Sequence, residues 1–192
     1  MSKIEKLAVY CGSADGNDPA FAQAAVDLAR TMAAAGIDLV YGGGRLGLMG
    51  VMADTMLDAG GRVYGVIPQA LVDKEVAHTG LTELHTVDTM HERKAKFTEL
   101  SDGFVCLPGG IGTLDELFEA WTWNALGYHA KPFCLLNVNG FWSPLGDFMD
   151  HVRDAGFLSH ARRGQLMTAR SPAEAINMLE NAAANANQGM VW

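Results

Sequence analysis

Short apolar segments alternate with longer amphipathic segments through most of the chain. Six apolar runs predict strands, at 6–11, 37–42, 62–67, 83–87, 103–109 and 132–137. Helical patterns lie between or after them, at 19–35, 47–59, 89–101, 113–126, 143–155 and 171–183. Several strands are continuous apolar runs, which indicates burial on both faces of a parallel sheet. The alternation predicts an α/β, Rossmann-like fold with a doubly wound, mostly parallel sheet flanked by helices.

Neither a Pro/Ser-rich linker nor an internal repeat divides the 192 residues. We therefore expect one nucleotide-binding domain over residues 1–192, with 49% hydrophobic residues to fill its core. The composition of residues 184–192 predicts a loosely ordered tail.

Charge and cysteine content narrow the function classes. The formal net charge of −8 argues against non-specific binding to nucleic acid or anionic membranes, although a small anionic ligand stays possible. Cys11, Cys106 and Cys134 are odd in number and lack CxxC spacing, which predicts reduced cysteines in a cytoplasmic protein. We expect no signal peptide and no transmembrane segment.

Three glycine-rich turns follow predicted strands, at 11–13, 41–50 and 108–113. The carboxyl ends of parallel strands meet at one edge of a sheet, where ligands of such folds bind. Glycine turns that open helices present backbone N–H groups to anions, usually phosphates. The three turns together predict a site for a phosphate-bearing small molecule.

The second turn also matches G-x-G-x-x-G through Gly42, Gly44 and Gly47. A dinucleotide site needs an acidic residue at the end of the next strand, where this chain has Pro68 and Gln69. A kinase-type P-loop needs G-K-[ST], which is missing. Both interpretations are therefore disfavoured, and close helix–sheet packing remains an alternative explanation for some of these glycines.

The segment 88–100 places Arg93 on one helical stripe with Met90, Phe97 and Leu100. An arginine in an apolar stripe is costly unless an anion pairs with it, so Arg93 indicates either an anionic ligand or a structural carboxylate partner; snorkelling is a further alternative. "HERKA" is not the HExxH zinc motif, and no other histidine spacing suggests a metal site. Neither Lys94 nor Lys96 has the context of a Schiff-base lysine.

Glu116 follows the third turn in "LPGGIGTLDE" (107–116). Thr113 and Glu116 have the spacing of a capping box, which would make Glu116 structural. Glu116, Glu119 and Thr122 also recur at a spacing of three, so they predict a polar strip that either lines a ligand pocket or faces solvent. The pattern leaves the structural and catalytic roles of Glu116 open.

"MHERK" (90–94) and "PGGIGTLDE" (108–116) are similar to the M-x-x-R-K and P-G-G-x-G-T-x-x-E motifs of the LOG ("lonely guy") family. The resemblance extends through "LVYGGGRLGLMG" and "LLNVNGFW", over roughly residues 6–157. Family members are cytokinin riboside 5′-monophosphate phosphoribohydrolases, formerly labelled lysine decarboxylases. They hydrolyse the N-glycosidic bond of a purine nucleoside 5′-monophosphate to free base and ribose 5-phosphate.

This resemblance implies that Arg93 and Glu116 are catalytic. Glu116 would stabilise oxocarbenium-like charge on the ribose or activate water, Arg93 would orient Glu116, and Lys94 would support nucleotide binding. The other substrate-binding residues that it implies are Ser13, Gly43, Gly44, Glu75, Met90, Gly109, Gly110, Gly112, Thr113 and Thr122. It implies no cofactor or metal, and a homodimer with active sites near the subunit interface.

Two functions stay open at this point. The first is a phosphoribohydrolase acting on AMP or N6-modified AMP. The second is a non-catalytic nucleotide or cofactor carrier on the same scaffold. A carrier has no need of a carboxylate at Glu116, so the presence of both Arg93 and Glu116 favours the enzyme.

Overall fold

The computed structural model describes residues 4–72 and 77–188. Its seven strands are β1 (Lys6–Tyr10), β2 (Asp38–Tyr41), β3 (Val63–Pro68), β4 (Glu83–Val87), β5 (Gly103–Cys106), β6 (Phe133–Leu136) and β7 (Leu166–Ala169). Its helices are α1 (Pro19–Ala35), α2 (Gly47–Asp58), α3 (Gln69–Val72), α4 (Met90–Leu100), α5 (Ile111–Ala125), α6 (Ser143–Asp154), α7 (His160–Gln165) and α8 (Pro172–Gln188). A short 3-10 turn spans Val138–Gly140.

The strands form one parallel sheet in the order β4-β3-β2-β1-β5-β6-β7. The chain builds outward from β1 to β4 and then returns to the other side of β1 with β5. Loops that follow β1 and β5 therefore diverge at their carboxyl ends, which opens a crevice at this topological switch point. The predicted α/β doubly wound sheet is confirmed.

Both faces of the sheet are covered by helices. Leu28 of α1 and Met52 of α2 belong to the cluster of buried residues on one face, and Phe97 of α4 and Trp121 of α5 belong to the cluster on the other. Tyr10 of β1 stands between Phe97 and Phe104, with ring centroids 5.5 and 5.6 Å away. The contact with Phe97 holds α4 over the carboxyl end of β1, and α5 covers the same face of the sheet through Trp121.

Helix α4 starts with a capping box. Thr89 Oγ1 accepts a hydrogen bond from the Glu92 backbone N–H at 3.1 Å, and Glu92 Oε2 accepts from the Thr89 N–H at 3.2 Å. Such a cap satisfies two N–H groups that the first turn of a helix leaves without partners. The start of the helix that carries Arg93 is thereby fixed in place.

Several bounds differ from the predictions. Helix α5 begins at Ile111, two residues before the predicted start, and α8 continues to Gln188. Residues 184–188, expected in a loose tail, are therefore helical, because alanine-rich sequence has high helix propensity. Residues 189–192 lie outside the described part of the chain.

Strand β7 and the short helices α3 and α7 were missed by the sequence patterns. β7 has four residues and a mixed burial pattern, and its pairing with β6 places it at the edge of the sheet. Within the described ranges 4–72 and 77–188, no helix is both long and apolar enough to cross a membrane.

Candidate active site

The three glycine-rich turns meet at the carboxyl ends of β1, β2 and β5 and line a cleft of about 460 Å³. Seven of the residues proposed from sequence line this cleft: Ser13, Gly44, Arg93, Gly110, Gly112, Thr113 and Glu116. They come from three loops and two helices that are far apart in the sequence. The parallel sheet brings them together because its strands all end at this edge.

Arg93 reaches from α4 into the cleft and is only 8% exposed. Its Nε donates to the Val66 carbonyl at 3.1 Å, its Nη2 donates to the Gly42 carbonyl at 3.4 Å, and its Nη1 lies 3.1 Å from Glu116 Oε1. A Cβ at Gly42 would fall 2.3 Å from Arg93 Nη2, so that glycine leaves room for the guanidinium. Arg93 therefore pairs with a carboxylate of the same cleft rather than snorkelling to solvent.

Among the described residues that line the cleft, Glu116 is the acidic one, and its side chain is 11% exposed. Burial raises its pKa to about 7, whereas the Arg93 guanidinium acts to lower it and Asp115 acts to raise it. A carboxyl group with a pKa near neutrality is suited to proton transfer at physiological pH.

The capping-box interpretation of Glu116 is wrong. Helix α5 is capped by Gly110, with no side-chain cap hydrogen bond, so Thr113 lies inside the first turn rather than before it. Because the helix starts earlier than the pattern predicted, Glu116 lies on its second turn and pairs with Arg93 instead.

The first turn of α5 provides a cradle for an anion. The N–H groups of a helix's first turn lack intrahelical partners, and the helix dipole favours negative charge there. A Cβ added at Gly110 or Gly112 would meet no atom within 4 Å, so open space faces both residues. A Cβ at Gly109 would lie 2.1 Å from Thr113 Oγ1, which explains the glycine at that tight turn.

Other residues proposed from sequence lie outside the lining of the cleft. Met90 and Thr122 are exposed, and Lys94 pairs with carboxylates of α5. Gly43 is buried behind the cleft with a φ of 72°, and its carbonyl accepts from the His78 N–H at 2.9 Å. The predicted polar strip is divided, because Glu116 lines the cleft, Glu119 binds Lys94 and Thr122 faces solvent.

Gly109 and Glu75 are the remaining residues that were proposed from the sequence to bind substrate. Gly109 lines an adjoining cavity of about 280 Å³ that shares Gly12, Ser13 and Gly110 with the cleft. Glu75 lies outside the described residues.

The cleft lining includes a set of large apolar side chains, here called the apolar wall, that was not predicted from the sequence. It is formed by Leu46, Met49, Ile67, Leu71 and Ile111. Ile111 is 83% exposed, which is unusual for a large aliphatic side chain at a helix start. Leu46, Met49 and Ile111 lie within the glycine-rich turns, and this position was the one sequence feature that indicated a place in the cleft. Periodicity alone assigns such apolar positions to helix packing.

Known proteins are similar to this chain over most of its length. A family model described as "Possible lysine decarboxylase" matches residues 49–179. A rice (Oryza sativa subsp. japonica) protein named cytokinin riboside 5′-monophosphate phosphoribohydrolase LOG is 42% identical over 191 residues, covering 100% of this chain and 79% of the relative. The chain belongs to the LOG family. A Rhodococcoides fascians protein named cytokinin riboside 5′-monophosphate phosphoribohydrolase is 44% identical, covering 90% of this chain and 87% of the relative.

A solved structure supports the fold of this LOG-family chain. The molybdenum cofactor binding protein of Rippkaea orientalis matches with a TM-score of 0.71 and 20% identity, covering 94% of this chain and 98% of that one. At this identity the likeness concerns the fold alone.

The described lining of the cleft contains nothing that corresponds to the word decarboxylase in the family description. No lysine is among the described residues that line the cleft, and the ammonium group of Lys94 is held by two carboxylates. In residues 4–72 and 77–188, no group of three or more His, Cys, Asp or Glu side chains is arranged to hold a metal ion.

Proposed function

We propose that this chain hydrolyses the N-glycosidic bond of purine nucleoside 5′-monophosphates, N6-prenylated (cytokinin) nucleotides included, to free base and ribose 5-phosphate. The observation that carries the proposal is the buried Arg93–Glu116 pair, which faces the same cleft as the glycine cradle of α5. The names of the rice and Rhodococcoides relatives support the same reaction.

The two ends of the substrate explain why a carboxylate lies near an anion cradle. The 5′-phosphate would accept hydrogen bonds from the N–H groups at the start of α5, around Gly110, Gly112 and Thr113. Glu116 lies four residues after Gly112, or about 6 Å along a helix axis. A nucleotide whose phosphate occupies the cradle would therefore present its ribose to Glu116.

The chemistry then follows from the charge that develops on the sugar. As the bond between C1′ and the base nitrogen breaks, its electron pair goes to the base and positive charge builds on the ribose. The Glu116 carboxylate stabilises that charge and accepts a proton from the water that attacks C1′. The water hydroxyl ends on C1′, and the base nitrogen takes up a proton. Arg93 holds Glu116 in orientation and lowers its pKa towards the ionised form that the reaction needs.

The apolar wall fits the other end of the substrate. A purine ring and a hydrocarbon N6 substituent would pack against Leu46, Met49, Ile67, Leu71 and Ile111. Binding at this wall would stabilise a prenylated base more than adenine, by roughly 0.8 kcal/mol for each CH₂ group that is removed from water.

The carrier alternative explains the cradle and the apolar wall but not the buried pair. A protein that only binds a nucleotide monoanion or dianion gains nothing from a carboxylate in the same cleft, since the two negative charges repel. Glu116 therefore favours the hydrolase.

The test is chromatography of reactions containing AMP or isopentenyl-AMP, with wild type, Glu116→Gln and Glu99→Gln measured side by side. Glu99 is an exposed glutamate of α4 paired with Lys96, so its variant is a matched control. We expect wild type and Glu99→Gln to release free base and Glu116→Gln to lose the activity. Nucleotide binding without base release by wild type would favour the carrier instead.

We further infer that the chain acts as a cytoplasmic homodimer. Cys11, Cys106 and Cys134 are all buried and unpaired, which suits a reducing compartment. Tyr128 and Phe157 are 74% and 87% exposed, which suits a surface that a second copy covers. Light scattering coupled to size-exclusion chromatography should give twice the mass of the chain, and a monomer mass over the assay concentrations would contradict the dimer.

A further inference from the structure

The residue that follows Arg93 makes a second set of ion pairs between the same two helices. Lys94 Nζ lies 2.9 Å from Asp115 Oδ2 and also contacts Glu119 Oε2. The side chains of Lys94 and Glu119 are 14% and 17% exposed, whereas that of Asp115 is 53% exposed. Glu119 is thus the partner that is shielded from water, and the pair that it forms with Lys94 is the less screened of the two.

Lys94 lies outside the lining of the cleft and pairs with α5 there. Successive residues of a helix point about 100° apart, so Arg93 and Lys94 leave α4 in different directions. Arg93 lines the cleft, and Lys94 does not. Burial acts to lower the pKa of the Lys94 ammonium, but the hydrogen bonds to Glu119 and Asp115 outweigh this effect and the pKa lies above its usual value. The positive charge of Lys94 is therefore paired with carboxylates of α5.

These side chains connect two helices that otherwise pack on the sheet. Helix α4 packs against β1 to β4, and α5 packs against β1. Arg93 and Lys94, adjacent on α4, bind Glu116 on one side and Asp115 and Glu119 on the other. Any sliding of α5 along α4 that broke the Lys94 pairs would also change the distance between Arg93 and Glu116.

We propose that Lys94 is a positioning residue, which holds α5 against α4 so that Glu116 meets Arg93, and that it acts on the nucleotide only through this geometry. The proposal rests on the proposed function for its kinetic consequences. Its structural consequence, the state of the Glu116 carboxyl group, does not depend on any reaction.

The kinetic experiment compares Lys94→Met, Lys94→Arg and Glu119→Met with Lys96→Met. Lys96 pairs with the exposed Glu99 on the same helix and serves as the matched control. We expect Lys94→Met and Glu119→Met each to lower kcat roughly tenfold or more, because small displacements of a catalytic group are costly, with KM changed less than about twofold. Lys94→Arg should recover most of the kcat, and Lys96→Met should match wild type.

Two kinetic results would overturn the proposal. A rise in KM with an intact kcat in Lys94→Met would mean that Lys94 binds the nucleotide directly. A wild-type kcat in Glu119→Met would mean that the Lys94–Glu119 pair does not position Glu116. Thermal unfolding of every variant, with assays well below its transition, separates these effects from loss of fold.

A second measurement is independent of activity. Carbon-13 NMR of protein labelled at the glutamate carboxyl carbon follows the titration of Glu116, which is assigned by the spectrum of Glu116→Gln. Positioning predicts that the Glu116 pKa rises in both Lys94→Met and Glu119→Met, because both loosen its contact with Arg93. A rise in the first and a fall in the second would indicate a charge effect alone and would overturn positioning. Loss of base release by wild type, with both shifts present, would refute the proposed function and leave the positioning role standing.

Discussion

Arg93 Nη1 and Glu116 Oε1 lie 3.1 Å apart, and each of the two side chains is about nine-tenths buried at the carboxyl edge of the sheet. Arg93 comes from α4 and Glu116 from α5, so the pair joins the two helices that carry the motifs of the LOG family. Burial of an ion pair is not by itself a source of stability, since desolvation offsets the attraction. Its position in the cleft instead points to selection for chemistry.

Removing one partner of this pair should be costly in both activity and stability. We expect Arg93→Met to lower kcat about 100-fold or more, because Glu116 loses its orientation. We expect the free energy of unfolding at pH 8 to fall by about 3 kcal/mol, because the Glu116 charge is left buried without a partner. Steady-state kinetics and urea denaturation measure the two effects. Arg30→Met, which alters an exposed arginine of α1, is the control and should leave both quantities unchanged.

The rate should depend on the ionisation of Glu116. Because burial raises the Glu116 pKa to about 7 and the reaction needs the carboxylate, kcat at saturating nucleotide should increase with pH up to about 7 and then level off. Below the pKa we expect a fall of about tenfold for each pH unit. The measurement is kcat between pH 5 and 9. A kcat that stays constant over this range would exclude Glu116 as the group that must ionise.

The same titration should affect stability with a defined sign. Glu116 has a higher pKa in the folded chain than the ordinary value of 4.5, so the fold favours its neutral form. Its contribution is present below pH 4.5 and is lost as the pH rises through about 7. Relative to wild type, Glu116→Gln should therefore become more stable between pH 5 and pH 8, by about 1–3 kcal/mol. Urea denaturation of both proteins at several pH values gives this difference, and a difference that moves the other way would mean that Arg93 keeps Glu116 ionised in acid.

A methyl group added at the start of α5 tests whether the anion cradle there binds the phosphate. A Cβ at Gly112 meets no protein atom within 4 Å, so Gly112→Ala should fold at least as stably as wild type, because alanine favours helix more than glycine. Its methyl group would occupy the space assigned to the phosphate, and we expect KM for AMP to rise about tenfold or more. Gly164→Ala, in α7 and equally free of neighbours, is the matched control. An unchanged KM in Gly112→Ala would place the phosphate elsewhere in the cleft.

The fold was largely predictable because its determinants are local. In the part of the chain that the structure describes, six of the seven strands and six of the eight helices follow from apolar runs, helical periodicity and the glycines and prolines at their ends. The elements that were missed are short and carry weak periodicity. β7 is extended because it pairs with β6, a contact between segments that are remote in sequence, and α7 has only six residues.

The start of α5 shows how a local pattern can mislead. Thr113 and Glu116 match a capping box in spacing, yet the helix begins earlier, at Ile111. A glycine cap without a side-chain partner leaves almost no trace in sequence. The actual capping box lies on α4, between Thr89 and Glu92.

The sequence by itself determined the parallel α/β sheet, the gathering of three glycine-rich turns at its carboxyl edge, and the candidacy of Arg93 and Glu116. Periodicity and turn chemistry decide the sheet and its turns within a few residues of chain, whereas the candidacy of Arg93 and Glu116 as catalytic residues came from the resemblance of their motifs to the LOG family. The tertiary structure alone decided that Arg93 pairs with Glu116, that Lys94 faces Glu119 and Asp115 rather than the cleft, and that burial raises the pKa of Glu116. Ion pairing and desolvation depend on distances between segments that are remote in sequence, and those distances exist only once the sheet has been assembled.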